Sequence, residues 1–326
     1  MTVTLVTGGA GYIGGVLVPA LCDSGRHVRV VDPQWFGLPS WQASENLHIL
    51  NRDSRDLTAA DLSDVDEIID LAAVSSEHTA TRLPSLAWAV NSAARCRLAT
   101  LAREAGVRRY VLPSSSNLYG AGDEPFTEEV AVSPESVYAA ANRSAETHVL
   151  GLADRRFCPV VLRQATVYGW SPHLRYDLVV NAMTADILHT GRCRVLGSGS
   201  QRRPLIWIKD LVHIHLRLLM ADAEKVCGRV FNAGARDEQF LIRELPSHIG
   251  EQLGIEPEIR HYGEDDPMSH VLSYQRLHDG IGVEVGPSLG IGVAELASAL
   301  RTYPECAAEW RVRRSDWFDR QVASCG

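Results

Sequence analysis

The first half of the chain alternates short apolar runs with segments in which apolar residues recur at helical spacing. Strand-like runs cover residues 3–6, 28–31, 67–71, 110–112 and 159–162, and helical spacing covers residues 11–21, 98–104 and 137–152. The stretch after the second run is rich in Trp, Pro and Ser and is predicted to be a loop. Strands of this length that alternate with helices predict an α/β fold with a Rossmann-type, doubly wound parallel sheet. A ligand is then expected at the carboxyl ends of the strands, where the strand order reverses.

The pattern becomes less regular after about residue 169. Residues 205–208 and 230–232 are strand-like, and residues 210–220 are helical. From residue 236 onward the segments are shorter and are interrupted by Gly and Pro. We therefore predict a larger sheet domain over residues 1–170 and about 205–235, and a smaller C-terminal α/β lobe over residues 171–204 and 236–326.

The length and net charge of the chain disfavour several classes of binding partner. The chain has 326 residues, which is enough for one large α/β domain and a smaller one. Its formal net charge of −8 disfavours nucleic acid and anionic membrane surfaces as partners. No apolar run approaches the roughly 20 residues that a membrane span needs. A negatively charged substrate would have to be held by a few placed arginines.

The cysteines are scattered and show neither CxxC pairs nor metal-ligand spacing. They are expected to be free thiols in a reducing compartment, with no metal site. The first strand begins almost at the initiator Met, so no signal peptide is visible and a cytoplasmic protein is expected. The seven positions are Cys22, Cys96, Cys158, Cys193, Cys227, Cys306 and Cys325.

A glycine-rich motif connects the first predicted strand to the first predicted helix. Residues 7–14 read TGGAGYIG, a pattern of three glycines at intervals of three residues. The first glycine permits the tight turn, the second lets the backbone approach a pyrophosphate, and the third allows close helix packing. Free N–H groups and the positive end of the helix dipole would face the phosphates. The expected dinucleotide contacts are Gly8, Gly11, Tyr12, Ile13 and Gly14.

An acidic residue near the end of the second strand selects between NAD and NADP. Asp32 is placed to accept hydrogen bonds from the adenosine ribose, and its carboxylate would repel a 2′-phosphate, which predicts NAD. The alternative is an ordinary strand-end Asp in a turn before Pro33. Other expected contacts are Asp53 and Ser54 near the adenine, and Leu71, Ala72 and Ala73 against the dinucleotide.

Six further motifs follow the glycine motif along the chain. They are DLAA at 70–73, SSSNLYG at 114–120, SVYAAAN at 136–142, LRQATVYG at 162–169, GSGSQRRPLIWIKD at 197–210 and VFNAG at 230–234. This series resembles the extended short-chain dehydrogenase/reductases, specifically the NAD-dependent epimerase/dehydratase branch, which mostly acts on nucleotide sugars. The resemblance covers roughly the first 235 residues well and the last 90 weakly. It implies a homodimer paired through the helices at 88–105 and 137–152.

The resemblance also implies catalytic roles. In such enzymes a Tyr removes a proton from a substrate hydroxyl, a Ser or Thr shares that hydrogen bond, and a Lys four residues after the Tyr lowers its pKa. Ser115 and Tyr138 occupy the first two positions, but Asn142 occupies the position of the Lys. Asn142 can still donate to the nicotinamide ribose. Arg143 lies about 100° around the helix, so we do not expect it to substitute for the Lys.

The missing charge makes Tyr138 a poorer base. A cation about 4 Å away stabilises a phenolate by on the order of 4 kcal/mol at an effective dielectric near 20. Restoring it with Asn142→Lys is therefore expected to improve Tyr138 as a base. His78, at the carboxyl end of the third predicted strand, is an alternative acid or base, although a loop histidine is often merely solvated.

Other positions concern the reaction and the substrate. Dehydratases that resemble this family carry Asp-Glu directly after the Ser/Thr, whereas this chain has Ser116 and Asn117, which favours epimerisation or keto-reduction. The second phosphate arginine of the family is replaced by Met268 or Ser269. The resemblance places Asn181 and Arg203 at the substrate diphosphate, although Arg203 could instead be a surface arginine in a loop. Ser75 and Asn117 are further expected substrate contacts.

Three functions remain open on these residues. The first is an NAD-dependent epimerase or keto-reductase/dehydrogenase acting on a nucleotide sugar or a related sugar derivative. The second is an enzyme on the same scaffold with lyase or isomerase chemistry on a secondary-metabolic substrate. The third is a non-catalytic NAD-binding protein, although a silent site has no need for Ser115 and Tyr138. The amphipathic tail at 309–318 is predicted to dock on the body of the protein.

Overall fold

The computed structural model describes residues 1–41 and 44–303, and all structural statements concern these residues. Most of the strands are short and carry buried apolar side chains. The strands are β1 Val3–Thr7, β2 His27–Asp32, β3 Leu47–Asn51, β4 Glu67–Asp70, β5 Arg109–Ser115, β6 Cys158–Gln164, β7 Thr166–Tyr168, β8 Arg192–Leu196, β9 Arg202–Trp207, β10 Arg229–Ala233, β11 Gln239–Leu241 and β12 Glu258–Tyr262.

Helices connect most of the strands, and a π-helix at Ala89–Ala94 continues α3 into α4. Short 3₁₀ helices lie at Ser54–Asp56, Ala59–Leu62, Ser116–Tyr119 and Ile242–Glu244. The α-helices are α1 Gly14–Asp23, α2 Glu77–Arg82, α3 Pro84–Trp88, α4 Arg95–Ala105, α5 Val137–Gly151, α6 Val179–Thr190, α7 Ile208–Met220, α8 Ala223–Val226, α9 Leu245–Leu253, α10 Gln275–Ile281 and α11 Leu289–Thr302.

The described residues form one large parallel sheet with strand order β10-β6-β5-β4-β1-β2-β3. Every neighbouring pair in it is parallel. The order reverses between β1 and β4, which are neighbours although β2 and β3 lie between them in the chain. In such a sheet a crevice opens beyond the carboxyl ends of the strands at the reversal. The predicted Rossmann-type fold is confirmed.

Helices cover both faces of this sheet because successive strand side chains point to opposite sides. Val6 and Ile69 belong to the cluster that includes the apolar side chains of α1 and α7. Their chain neighbours Leu5 and Ile68 belong to the cluster that includes those of α4 and α5. Burial on both faces explains why these strands read as continuous apolar runs rather than as alternating patterns.

One strand lies where the sequence predicts a loop. β3 forms the edge of the sheet and pairs only with β2, from Val28 opposite Leu47 to Asp32 opposite Asn51. Its side chains are half-buried or exposed. An edge strand of this kind needs no continuous apolar run, so periodicity gives a weak signal for it.

Two small sheets carry the later part of the chain. β9 pairs antiparallel with β11 and parallel with β7, while β8 pairs parallel with β12. Helices α6, α9 and α11 pack against one another beside them. A separate apolar cluster holds these elements together, including Val180, Val195 and Leu245.

A buried ion pair fastens α5 to the sheet. The Arg163 guanidinium on β6 donates to both carboxylate oxygens of Glu146, over 3.0 and 2.7 Å. The two side chains are 3% and 0% exposed. Burial opposes the charge on Arg163, but the hydrogen bonds and attraction of Glu146 outweigh it, so the pKa of Arg163 is raised. This pair lies one helical turn beyond Asn142 on α5.

We expect Glu146→Gln to lower the free energy of unfolding by about 3–5 kcal/mol, because it leaves the Arg163 charge buried without a partner. Chemical denaturation measures this difference. Glu258→Gln breaks an exposed pair with Arg192 and is the control, with an expected unchanged midpoint. Equal midpoints for both variants would show that the buried pair does not stabilise the fold.

Candidate active site

A deep cleft opens where the strand order of the large sheet reverses. It contains about 1180 Å³ of non-atom space, which includes open solvent at its mouth. The expected cofactor residues that line it are Gly8, Gly11, Tyr12, Ile13, Gly14, Asp32, Asp53, Ser54, Leu71, Ala72 and Ala73, and the expected substrate residue Ser75 lines it as well. Tyr138 and Asn142, which are also expected at the cofactor, are not among its lining residues.

The turn of the glycine motif has no room for a side chain at Gly8 or at Gly14. Gly8 has φ +61°, and a Cβ atom there would lie 2.8 Å from the Ala72 backbone. A Cβ on Gly14 would lie 2.1 Å from the Gly9 carbonyl oxygen. The turn therefore brings its backbone against the end of β4 and leads directly into α1, whose N-terminus offers N–H groups to an anion.

Asp32 is held rigidly at the end of β2. Its Oδ2 accepts from the Ala10 N–H over 3.1 Å, and its Oδ1 accepts from the Gln34 N–H over 2.7 Å. Burial raises the pKa of this carboxyl, and the two N–H donors offset part of the rise. The carboxylate lines the cleft in a fixed orientation, as recognition of a ribose requires. Asp53, by contrast, is paired with Arg55 over 2.8 Å.

Ser115 and Tyr138 come together from separate elements. Ser115 ends β5, and its Oγ accepts from the Asn117 N–H over 3.2 Å. Tyr138 lies in the first turn of α5, which begins after the N-cap Ser136. Burial raises the pKa of the Tyr138 phenol, and the charges of Arg95 and Arg175 and a hydrogen bond with Ser115 lower it. This is the Ser-Tyr pair that the motif predicted.

Asn142 is buried below Tyr138, and both polar atoms of its side chain are bonded. Its Nδ2 donates to the Tyr138 carbonyl oxygen over 2.8 Å. Its Oδ1 accepts from Nη1 of Arg95 over 2.7 Å. Arg95 is the first residue of α4 and is 3% exposed. Sequence analysis did not identify Arg95, although it occupies the position of an apolar residue, three before Leu98 and seven before Ala102 on the buried face of α4.

A second arginine, Arg175, reaches the same region from the loop after β7. Its guanidinium donates to both Ser75 oxygens over 3.0 Å and pairs with Asp177 over 2.5 Å. It also lines the cleft. The expected substrate residue Ser75 is therefore already bonded to a cation. Sequence analysis missed Arg175 because nothing in its local pattern distinguishes it from a surface residue.

His78 lies on a helix rather than in a loop. It follows Glu77 in the first turn of α2, and its side chain is exposed. Glu77 accepts a hydrogen bond from the Asn117 side chain over 3.0 Å. The carboxylate of Glu77 acts electrostatically on both Tyr138 and Arg203. Glu77 is thus the α2 side chain that the structure connects to Asn117 and Tyr138, while the His78 side chain is exposed.

Arg203 lies on β9 and is largely buried. It pairs with Asp266 over 2.7 Å and donates to the Met268 carbonyl oxygen. Ser116, at the first dehydratase position, is buried and bonded to His270 over 2.9 Å. Burial and the Arg203 charge lower the pKa of His270 to about 4, so this imidazole is neutral at pH 7.

Asn181 does not present a free group to a substrate in this conformation. It is fully buried on α6. Its Oδ1 accepts from the Gly169 N–H over 2.9 Å, and its Nδ2 donates to the Tyr12 hydroxyl and to the Arg175 carbonyl, both over 3.1 Å. It therefore joins the glycine turn to the loop after β7. The expectation that it binds the diphosphate would require these bonds to open.

Two further observations complete the description. Among residues 1–41 and 44–303, no cluster of three or more His, Cys, Asp or Glu side chains could hold a metal ion. Over the same residues, no helix is long and apolar enough to cross a membrane. The tail at 309–318, with Cys306 and Cys325, lies outside the described residues.

Comparisons with known proteins agree with this geometry. The model of the NAD dependent epimerase/dehydratase family matches residues 4–234. The UDP-glucose 4-epimerase of Mycolicibacterium smegmatis is 31% identical over 318 residues, which cover 91% of this chain and 98% of that protein.

Solved structures are similar as well. MoeE5 in complex with UDP-glucuronic acid and NAD has a TM-score of 0.82 and 27% identity, and the match covers 92% of this chain and 99% of MoeE5. The NAD dependent NDP-hexosamine 5,6-dehydratase TunA has a TM-score of 0.82 and 26% identity, and the match covers 93% and 98%. By the extent of these matches and by its cleft, the chain belongs to the NAD-dependent epimerase/dehydratase family.

Proposed function

We propose that the chain is an NAD-dependent epimerase that acts on a nucleotide sugar, with Tyr138 and Ser115 at the reacting hydroxyl. The observation that carries the proposal is that Ser115, at the end of β5, and Tyr138, in the first turn of α5, come close enough for the Ser115 hydroxyl to lower the pKa of the phenol. It is supported by the M. smegmatis relative, a UDP-glucose 4-epimerase that matches nearly the full length of both chains. We place the activity in the cytoplasm, where a reducing environment keeps thiols such as Cys158 and Cys193 free.

The residues of the cleft fit NAD. The turn at Gly8 would admit no side chain against Ala72, and it leaves the N-terminus of α1 open to a pyrophosphate. Asp32 would accept hydrogen bonds from the adenosine ribose, with Asp53 and Ser54 nearer the adenine. NAD, when bound, supplies a hydride acceptor that can later return the hydride to the same carbon.

The chain's own residues manage the proton. The Tyr138 phenolate oxygen takes the proton from the sugar hydroxyl and returns it when the carbonyl is reduced. The Ser115 hydroxyl shares that hydrogen bond and holds the substrate oxygen in place. Because a phenol must lose its proton to act as a base, the rate is expected to rise with pH up to the pKa of Tyr138.

The structure offers contacts on the substrate side. Arg203 is the expected phosphate contact, and a diphosphate would compete with Asp266 for it. Asn117 and Glu77, joined by a hydrogen bond, would line the sugar site next to Tyr138. The two positions after Ser115 are Ser116, which is bonded to His270, and Asn117, so neither carries a carboxyl group. This supports epimerisation over elimination of water.

The activity is tested with UDP-glucose and UDP-glucuronic acid in the presence of NAD. We expect an epimer in the product NMR spectrum, with no net change in NADH absorbance. Tyr138→Phe should lower the rate by about 10²–10⁴-fold and Ser115→Ala by a similar or smaller factor, because both remove groups at the transferred proton. Binding of NAD by either variant should stay within a few-fold. Products that have lost water, or full activity of Tyr138→Phe, would contradict the proposal.

Cofactor choice is tested at Asp32. We expect Asp32→Asn to weaken NAD binding on the order of 10-fold and to narrow the preference for NAD over NADP, because the charge that repels a 2′-phosphate is gone. Calorimetric titration with both cofactors measures this. Asp64→Asn is the matched control, since this exposed carboxylate pairs with Arg29 and is not among the residues that line the cleft. The same NAD-to-NADP affinity ratio in Asp32→Asn and the wild type would contradict the assignment.

We also propose a homodimer paired through the helices at 88–105 and 137–152. In support, α4 and α5 pack side by side, and the large Trp88 side chain is 43% exposed. Light scattering after size exclusion, at micromolar concentration, should give twice the chain mass of 35.8 kDa. Trp88→Lys should shift the population towards monomer. A stable wild-type monomer at that concentration would overturn the proposal.

A further inference from the structure

The buried guanidinium of Arg95 has unusual surroundings. Its hydrogen bonds go to the carbonyl oxygen of Ala72 over 3.1 Å, the carbonyl oxygen of Asp70 over 3.5 Å and Oδ1 of Asn142 over 2.7 Å. All three acceptors are neutral. Within the described residues, no ion pair within 4 Å involves Arg95. A buried charge without an ionic partner is normally unfavourable, so this cation is available to a negative charge that forms beside it.

The position of Arg95 indicates which negative charge forms beside it. Ala72 lines the cofactor cleft, and Asn142 lies four residues, about one helical turn, after Tyr138, at the position where the family carries its lysine. Asn142 holds the guanidinium through its Oδ1 and the Tyr138 carbonyl through its Nδ2. Arg95 is thus connected to the base-bearing turn of α5 by one side chain.

We infer that Arg95 is the cation that activates Tyr138 in place of the missing lysine, and that Asn142 holds it in position. This inference rests on the proposed role of Tyr138 as the base. Arg95 is a positioning residue that acts through its charge from α4, while the family's lysine acts from α5 itself. Tyr138 is therefore not left without a cation, contrary to what the local motif predicts.

Other charged groups also face Tyr138, and they contribute differently. Arg175 lowers the pKa of the phenol, but it is itself paired with Asp177. Glu77, from α2, raises it. Arg95 comes first among the charges that lower this pKa, after the larger opposing effect of burial. Among the described residues no carboxylate pairs directly with Arg95, and the carboxylate of Asp70, whose backbone carbonyl accepts from Arg95, is bonded to the Thr7 and Tyr110 hydroxyls.

The same geometry changes the expectation for Asn142→Lys alone. That variant removes the oxygen that Arg95 donates to and places a second cation beside the guanidinium. Like charges in a buried site destabilise each other, so the single variant should be impaired rather than improved. The lysine is expected to work only when Arg95 is replaced as well.

The test compares five variants in the full chain with NAD bound, and one of them is Asn142→Lys alone. Arg95→Met removes the cation, Arg95→Lys keeps a charge, and Arg95→Met with Asn142→Lys moves the cation to α5. Arg97→Met is the matched control, because Arg97 is an exposed residue of the same helix whose bond goes to the Arg55 carbonyl. The Tyr138 phenol is titrated by NMR on tyrosine labelled at Cζ, with Tyr138→Phe to assign its signal.

We expect the Tyr138 titration in Arg95→Met to move to higher pH, and the neutral-pH rate to fall by about 10- to 1000-fold with little change in KM. The rate loss should shrink as the pH rises. In Arg95→Lys and in the double variant, the Tyr138 titration and the neutral-pH rate should both return part of the way to the wild-type values. Arg97→Met should match the wild type. The titration needs no turnover, so it tests the inference even if the proposed substrate is wrong.

Two results would overturn the inference. One is an unchanged Tyr138 titration in Arg95→Met, with any loss confined to thermal stability or NAD affinity, which would make Arg95 a structural residue only. The other is a double variant no better than Asn142→Lys alone. If Arg95→Met does not fold, Arg95→Lys and the double variant decide. If the Tyr138 titration shifts as expected but the wild-type enzyme has no epimerase activity, the proposed function is contradicted and the inference is not.

Discussion

The backbone of Ala72 is the point at which the cofactor cleft meets the helices α4 and α5. On one side its N–H donates to Thr7 Oγ1 over 3.2 Å, and the Gly8 turn contacts it through backbone alone. On the other side its carbonyl accepts from Nε of Arg95 over 3.1 Å, and the same guanidinium holds Asn142. The backbone of one residue therefore sets the spacing between the glycine turn and the helix that carries Tyr138. The parallel sheet makes this possible, because β1, β4 and β5 are neighbours and end at the same edge.

The later part of the chain supplies the other side of the site. Strand β9 carries Arg203, and the loop after β7 carries Arg175, so both cations approach the catalytic pair from outside the large sheet. Each is already paired with an aspartate, Asp266 and Asp177 respectively. A negatively charged ligand that bound either arginine would therefore have to replace an existing partner. Such an exchange favours a ligand whose phosphate can bind bidentately over one that offers only a single negative oxygen.

The sequence allowed prediction of the features that depend on residues close together in the chain. Buried strands such as β4 and β6 carry continuous apolar runs, whereas β3, at the edge with half-buried side chains, does not. The Gly8 turn and the Ser115–Tyr138 pair were predictable because each belongs to a short motif. Arg95 was not, because its acceptors lie 23, 25 and 47 residues away and only the fold brings them together. Asn181 was assigned to the substrate by position alone, and the structure shows it bonded inside the protein.

The hydrogen bond between Arg95 and Asn142 also constrains how such a site can change over generations. An arginine with an asparagine and a neutral residue with a lysine are two complete arrangements of one positive charge. A path between them by single substitutions passes through a chain with two adjacent cations or with none. Positions 95 and 142 are therefore expected to vary together among relatives, even though 47 residues separate them. A survey of Arg–Asn and neutral–Lys combinations would then sort this family by the origin of its cation rather than by its substrate.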